Sequence, residues 1–559
     1  MKPWHKYYPG GKAPNIDFSY YKNLPDVLQK AVTQYGDSIA CENFGKQLSF
    51  SELDRLSKDF AAFTTTIGLK KGDRIALQMP NILQYPIALF GSLRAGLVVV
   101  NTNPLYTPRE MEHQFKDSGA KAVVILANFA HNLEKVLPNT EIVNVIVTEL
   151  GDSIGGLKGK IMNLVINYVK KMVPKFKLPG HLKFNDAMKT GARFKNDYSD
   201  PEISSEDIAF LQYTGGTTGV SKGAMLTNAN LTANLMQVDD ILKQVIKPGE
   251  VTITPLPLYH IFALMFTLGF VKLGLNNVLI TNPKDISGFV KELKKHKFTG
   301  IIGVNTLYNA LLNNPEFKNI DFSALKLSAG GGMAIQKVVS DRWQEVTGVA
   351  LLEGYGLTET SPVLTLNPPG GQNHRVGTIG IPIPETEIEL MDEDGKPVPL
   401  GEPGEICARG PQVMKGYWQR QEATDEVMTG GWLHTGDIGI MDEDGFFKIV
   451  DRKKEMILVS GFNVYPNEIE NVVASHPKVL EVGAIGVPDS RSTEVVKIFV
   501  VKRDQSLTKE ELQAYCRENL TAYKCPRHID FIDELPKSNV GKVLRRILKE
   551  NDAKVSSYG

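Results

Sequence analysis

Between Asp73 and Ala127 the chain alternates short apolar runs with amphipathic stretches. RIALQMP leads into QYPIALFGSLRAG and LVVVNTNP, and EMEHQFKDSGA leads into KAVVILA. Short apolar runs suit strands buried on both faces, and apolar residues three and four apart suit helices. The alternation therefore predicts a parallel sheet covered by helices. The pattern returns at NVLIT, FTGIIGVN and VALLEGYG. Each run ends in a turn-rich segment, which is where open α/β sheets place their ligands.

The chain has 559 residues, too long for one core, which points to roughly three or four domains or subdomains. Its texture changes after about Pro382. TEIELMDEDGKPV, GEICARG and GIMDEDGFFKIV are short strand-like runs broken by Asp-Gly turns, the mark of a β-rich subdomain. From Lys453 onward NEIENVVASHP, EVGAIGVPD and VKIFVV read as a compact unit ending in a basic tail. The expected fold is α/β. A large N-terminal domain of helix-covered sheets (1–452) contains the β-rich subdomain (about 382–452), and a small mobile C-terminal α+β domain follows (453–559). The charged DRKKEMI between two β-like runs is the expected hinge.

Charge adds little globally. Lys+Arg 63 balance Asp+Glu 63, so no nucleic-acid partner is expected. Cys41, Cys407, Cys516 and Cys525 fit no common zinc spacing and are expected as reduced thiols of a cytoplasmic protein. MKPWHKYYPGG lacks the apolar run of a signal peptide. The most apolar stretch, IFALMFTLGFV, stops at Lys272, short of the ~20 residues that span a bilayer. One segment is unbalanced: residues 153–185 hold seven lysines and no acid. On a helix, Ile161, Leu164, Val165, Tyr168, Val169 and Met172 share one face, with Asn163, Asn167, Lys170 and Lys171 opposite. Such a helix either settles on an anionic lipid surface or docks on the protein's own core with a solvated lysine face.

The glycine-rich run YTGGTTGVSKG (213–223) admits three readings. A Walker A loop needs glycine directly before its lysine, and Ser221 stands there instead. Gly219-Val220-Ser221-Lys222-Gly223 matches a nucleophile elbow, but TGGTT separates it from the preceding strand. A flexible connection is the third. The composition suits an anion, since glycines admit it to the backbone and threonines donate to it. The run follows DIAFLQY and is expected to precede a helix over LTNANLTANLMQ.

The loop heads an ordered series: PLYHIF, LSAGGGM, EGYGLTET, GEICARGPQVMKGYW, GGWLHTGD, DRKKEMILVSGFNVYPNEIE and PKSNVGKVLRR. Together these resemble the adenylate-forming superfamily of acyl-CoA synthetases, luciferases and peptide-synthetase adenylation domains. NPLYTPRE, LPLYHIFAL and ILVSGFNVYPNEIE look most like bacterial long-chain fatty acid–CoA ligases. The resemblance implies ATP-dependent conversion of a fatty acid to an acyl-adenylate and then to acyl-CoA, with ATP, Mg²⁺ and coenzyme A as cofactors. Medium-chain or aryl acid–CoA ligase and fatty acyl-AMP ligase remain alternatives, as do an esterase using Ser221 and a non-enzymatic lipid binder.

The resemblance also implies roles. Thr214, Gly215, Gly216, Thr217, Thr218, Gly219 and Lys222 would hold the β/γ-phosphates. Gly330, Gly331, Glu353, Tyr355 and Gly356 would surround the nucleotide, Tyr355 against adenine. Thr358 would donate to phosphate, Glu359 would hold Mg²⁺, and Asp437 with Arg452 would take the ribose hydroxyls. Lys542 would bridge the attacking carboxylate and the phosphate. His260 and Gly332 are placed at the acyl and coenzyme A side, Lys454 at a domain pivot and Gly461 on the pantetheine path. Thr214, where serine is common, and Asp451, where glycine is common, depart mildly from the family's wording. The implied location is cytoplasmic, peripherally on the inner membrane through 153–185, with a homodimer left open.

Overall fold

The computed structural model describes residues 2–214, 221–369, 373–460, 462–489, 492–538 and 541–557. The first alternating segment forms the expected units. Strands Arg74–Gln78, Val98–Asn101 and Ala120–Leu126 pair in parallel, with helices Gln84–Arg94 and Pro108–Ser118 in the crossovers. The second helix is bounded locally. Thr107 and Glu110 form a capping box, Pro108 opens the first turn, and Gly119 closes the last one in the left-handed region. With Asn144–Thr148, Leu182–Lys183, Ile208–Thr214 and Lys222–Thr227 these strands make a seven-stranded sheet. Only Lys222–Thr227 runs antiparallel to its neighbour.

A nine-stranded sheet follows, in the order Ile381–Pro382, Val363–Leu366, Leu351–Gly356, Leu327–Gly330, Gly300–Gly303, Val251–Thr254, Asn276–Leu279, Ile39–Asn43 and Lys46–Ser49. Its middle is parallel and its edges antiparallel. One continuous core joins both sheets through helices Phe50–Thr66, Gln84–Arg94, Asn228–Leu242 and Ile261–Lys272. Burying each of Phe60, Phe90 and Tyr85 there stabilises the fold by about 1.5–3 kcal/mol.

The Asp-Gly-punctuated region forms an antiparallel sheet over Glu387–Met391, Gly404–Arg409, Met428–Thr429, Trp432–Met441 and Phe447–Arg452. The aromatic N-terminus straps onto this sheet. Trp4 packs edge-on to Phe447 at 6.0 Å, and Lys6 pairs with Asp444 at 2.7 Å. A separate sheet over Ile457–Val459, Phe462–Val464, Val479–Asp489, Thr493–Lys502 and His528–Phe531 carries its own core and helices Pro466–Ala474, Lys509–Asn519 and Arg545–Ser557. The four cysteines are free thiols. Among the described residues no helix is long and apolar enough to cross a membrane.

Gly156–Leu164 is helical and continues as a π-helical turn, Val165–Val169. Its attachment is polar. Asn163 accepts from the Gly151 amide at 2.7 Å and donates to Glu149 and Asp152, and Asn167 donates to Glu149 at 2.5 Å. Leu157, Ile161, Leu164, Tyr168, Val169 and Met172 face solvent at 52–75% exposure. Docking on the protein's core through an apolar face is therefore ruled out, because the asparagines supply the contact.

Candidate active site

The glycine-rich run joins two antiparallel strands rather than a strand and a helix. Thr214 lies opposite Lys222, and the chain continues as Lys222–Thr227 before helix Asn228–Leu242 begins under a Thr227 cap. The expected strand-to-helix step is thus corrected. KGAMLT is drawn into the sheet by Ile208–Thr214 and bridged on its other side, where Trp418 donates to the Gly223 carbonyl at 2.8 Å and Met225 to that of Gly416 at 2.9 Å. Gly215, Gly216, Thr217, Thr218 and Gly219 lie outside the described residues. The Ser221 hydroxyl donates to the Thr214 carbonyl at 2.8 Å, and His113 meets the Ser221 carbonyl at 2.9 Å, not its hydroxyl. Among the described residues this geometry gives the serine no base, which removes the esterase reading.

Strand Leu351–Gly356 delivers the next group. Glu353 is buried and accepts from the Ile335 and Gly377 amides at 3.2 and 3.3 Å; burial raises its carboxyl to about 7. Both of its oxygens brace backbone. Two residues on, Tyr355 is buried on the same face and donates to Asp437 at 2.7 Å. Gly356 cannot carry a side chain, because a Cβ would stand 1.7 Å from the Pro362 carbonyl. Beside it, strand Leu327–Gly330 ends at Gly330, followed by Gly331 and by Gly332 at φ +75°.

Asp437 and Arg452 face each other across the antiparallel strands Trp432–Met441 and Phe447–Arg452, paired at 3.2 Å. Lys454 occupies the turn just beyond. Thr358 and Glu359 share the short turn Thr358–Thr360. Burial raises the Glu359 carboxyl above its ordinary value, and a 2.6 Å hydrogen bond from Tyr417 partly offsets this. Tyr417 also places its ring 5.0 Å below the Lys222 ammonium.

Two further groups complete the cluster. His260 caps helix Ile261–Lys272 by accepting from the Phe262 amide at 3.3 Å. Burial, with the nearby Lys542 charge, lowers it to about 4 and keeps it neutral. Most of that helix is buried, so IFALMFTLGF is largely core and only Phe262 and Gly269 are partly open. Lys542 reaches in from the C-terminal unit. Burial and the Arg452 charge lower its ammonium to about 8, against the pull of Asp437 and Glu455. Gly541 meets the first part of the chain at Thr306, whose hydroxyl donates to its carbonyl at 3.4 Å.

The structure thus gathers Tyr355, Asp437, Arg452, His260 and Lys542, and links Lys222 to Glu359 through Tyr417. Gly461 lies outside the described residues. The sequence reading missed Tyr417, although GYW ends a motif it singled out. Tyr417→Phe should keep the ring under Lys222 and lose the hydroxyl on Glu359. A hydrogen bond to a charged group is worth about 1.5–3 kcal/mol, so the ATP-dependent turnover that the sequence resemblance implies should fall roughly 10- to 100-fold. The acid limb of the pH–rate profile should move up as Glu359 loses its donor, and initial rates across pH check both.

The sequence profile of the AMP-binding enzymes matches residues 28–418, and that of their C-terminal domain matches residues 468–542. The chain belongs to the AMP-binding enzymes. It is 57% identical over 552 residues to a long-chain-fatty-acid–CoA ligase of Escherichia coli O6:H1, covering 98% of each chain. It is 37% identical to the Bacillus subtilis (strain 168) protein of that name, covering 99% of this chain and 98% of the other. Among solved structures, an anthranilate CoA ligase in complex with anthranoyl-AMP superposes with a TM-score of 0.84 at 25% identity, over 97% of this chain and all of that one. ATP-bound MatB from Rhodopseudomonas palustris gives 0.82 at 28% identity, over 95% and 99% of the two chains.

Proposed function

We propose that the protein is an ATP-dependent long-chain fatty acid–CoA ligase acting through an acyl-adenylate. The observation that carries this is the placement of Lys542 beside the Tyr355–Asp437–Arg452 set, joined to the 57% identity with a ligase of that name. A fatty carboxylate attacks the α-phosphorus of ATP and pyrophosphate leaves. The thiol of coenzyme A then gives up its proton, attacks the acyl carbonyl, and AMP leaves. The first step sets anion against anion, so fixed positive charge must be present before reaction.

Each residue has a part. Thr214 and Lys222 flank the glycine loop that would hold the β/γ-phosphates, and Asp437 with Arg452 would accept and steady the ribose hydroxyls. Lys542 would sit between the carboxylate and the α-phosphate. Glu359, a hard oxygen ligand beside the Thr358 hydroxyl, suits Mg²⁺ shared with the phosphates, and the ion would neutralise charge on the leaving pyrophosphate. Neutral His260 and Phe262 would border the acyl end. For the thiol to approach, Lys542 must leave, and a turn of the C-terminal unit about Lys454 would remove it and bring Gly461 to the pantetheine path.

The exposed apolar face at 157–172, with Lys158, Lys160, Lys170, Lys171, Lys175 and Lys177 exposed around it, suits an anionic membrane surface from which long-chain acids are collected. Gly151 and Gly159 let the helix sit close, since a Cβ on either would stand 2.2–2.3 Å from the other's carbonyl oxygen. Pyrophosphate release with oleate, without and then with coenzyme A, tests the ligase reading. Absence of oleate-dependent pyrophosphate would sink it. Release without thioester formation would point to an acyl-AMP ligase instead.

A further inference from the structure

Lys542 stands on a segment with little regular structure, so its position must be fixed by other contacts. Two bonds to Ser538 help: the Ser538 amide donates to the Lys542 carbonyl at 2.7 Å, and the Lys542 amide to the Ser538 hydroxyl at 3.1 Å. Across to the first part of the chain the Thr306–Gly541 bond is long. Three residues after Lys542, Arg545 opens the last helix, and its side chain is 12% exposed. Its guanidinium collects carboxylates from separate segments. These are Glu470 on helix Pro466–Ala474 at 2.7 Å, Asp451 on strand Phe447–Arg452 at 3.4 Å, and Glu455 in the turn that follows. It also donates to Asn467 at 2.5 Å. Asp451 is fully buried and accepts from the Arg452 and Asn467 amides at 2.7 and 2.8 Å.

We propose that Arg545 is a positioning residue: by clamping Asp451 and Glu455 to the start of its helix, it sets the Lys542 ammonium beside Arg452 and Asp437. Asp451 is the immediate neighbour of Arg452, so the clamp fixes Lys542 against the strand that also carries the Asp437 partner. Burial raises Asp451 to about 6, while Glu470, Asp451 and Glu455 outweigh the cost of burying Arg545 and hold it charged. The clamp also distinguishes arrangements. Asp451 precedes Lys453 and Lys454 in the chain, while Glu470 and Arg545 follow them. Movement of the C-terminal unit about that turn would break Arg545–Asp451 and spare Arg545–Glu470. Removing either member of a buried pair is costly, so the clamp favours the arrangement in which Lys542 is inserted.

The inference rests on the adenylate-forming reading, and the two are tested separately in the full chain. Arg545→Met, Arg545→Lys, Lys542→Ala and the double variant Arg545→Met/Lys542→Ala are compared in two assays. One is oleate-dependent exchange of pyrophosphate into ATP; the other is thioester formation from supplied oleoyl-adenylate and coenzyme A. Displacing a catalytic group by about 1 Å costs on the order of 100-fold, so Arg545→Met should lower the exchange kcat about 30- to 100-fold. The KM for ATP and the supplied-adenylate reaction should change less than about threefold, and Arg545→Lys should recover part of the loss. Because Arg545 acts through Lys542, the double variant should be no slower than Lys542→Ala alone. Should Arg545→Met fail to fold, Asp451→Asn cuts the same cross-link at constant volume and carries the same expectation. Equal loss in both half-reactions, or multiplicative effects in the double variant, would overturn the assignment while leaving the ligase reading intact. A wild-type protein without oleate-dependent exchange would overturn the ligase reading itself.

Discussion

Lys542→Ala should lower acyl-adenylate formation by about 100- to 1,000-fold, the usual cost of removing one preorganised donor from a developing charge. Thioester formation from supplied adenylate should be largely retained. The same residue sets an alkaline limit. Its protonated form is the useful one, and burial with the Arg452 charge lowers it to about 8. Adenylation should therefore decline as pH rises through about 8, and Lys542→Ala should lose that limb. A stability consequence follows with definite sign. The folded value lies below the ordinary 10.5, so between about 8 and 10.5 the unfolded chain binds more protons. Stability from this group then rises with pH across that window and is lowest below it. Near neutral pH the charged lysine is a cost, so Lys542→Met should melt higher than wild type while failing to adenylate. Pyrophosphate exchange and thermal melts at pH 7 and pH 9.5 check both halves. A wild-type melting gain no larger than the variant's between the two pH values would contradict the argument.

Local chemistry explains why so much was legible in sequence. Strand-and-helix alternation and the Asp-Gly turns depend on neighbours within a few positions. The Asp437–Arg452 pair was readable only through the resemblance of its two motifs, HTGD and DRKKEMI, and adjacent antiparallel strands bring the two side chains together. What escaped depends on distant partners. KGAMLT shows no strong strand pattern of its own, and it is a strand because Ile208–Thr214 and residues 416–418 pair with it. Arg545 read as one more cation in a basic tail, since nothing nearby in sequence announces Asp451 or Glu470. Asn163 and Asn167 read as a solvated face because Glu149 and Asp152, which bind them, lie outside the helix.

That reversal at 156–172 yields the second large effect. Replacing Ile161, Leu164 and Tyr168 together by serine should weaken binding to anionic vesicles about 100-fold or more. Each side chain is more than half exposed, and losing about 1 kcal/mol of lipid burial at each site sums to roughly 3 kcal/mol. Changing Lys170, Lys171, Lys175 and Lys177 to glutamine removes attraction of about 1 kcal/mol per cation near such a surface. That loss should vanish in high salt and on neutral vesicles, whereas the serine variant should stay weak on both. The two responses separate apolar insertion from electrostatic attraction, a separation that a helix held only by counterions would not show. All seven residues lie outside the Asp437–Lys542 cluster, so turnover of a short water-soluble acid should be unchanged. Cosedimentation with phosphatidylglycerol vesicles measures the effect, and wild-type binding unaltered by the serine substitutions would refute the membrane role. A dimer in light scattering that those substitutions dissolve would reassign the face to a second copy of the chain.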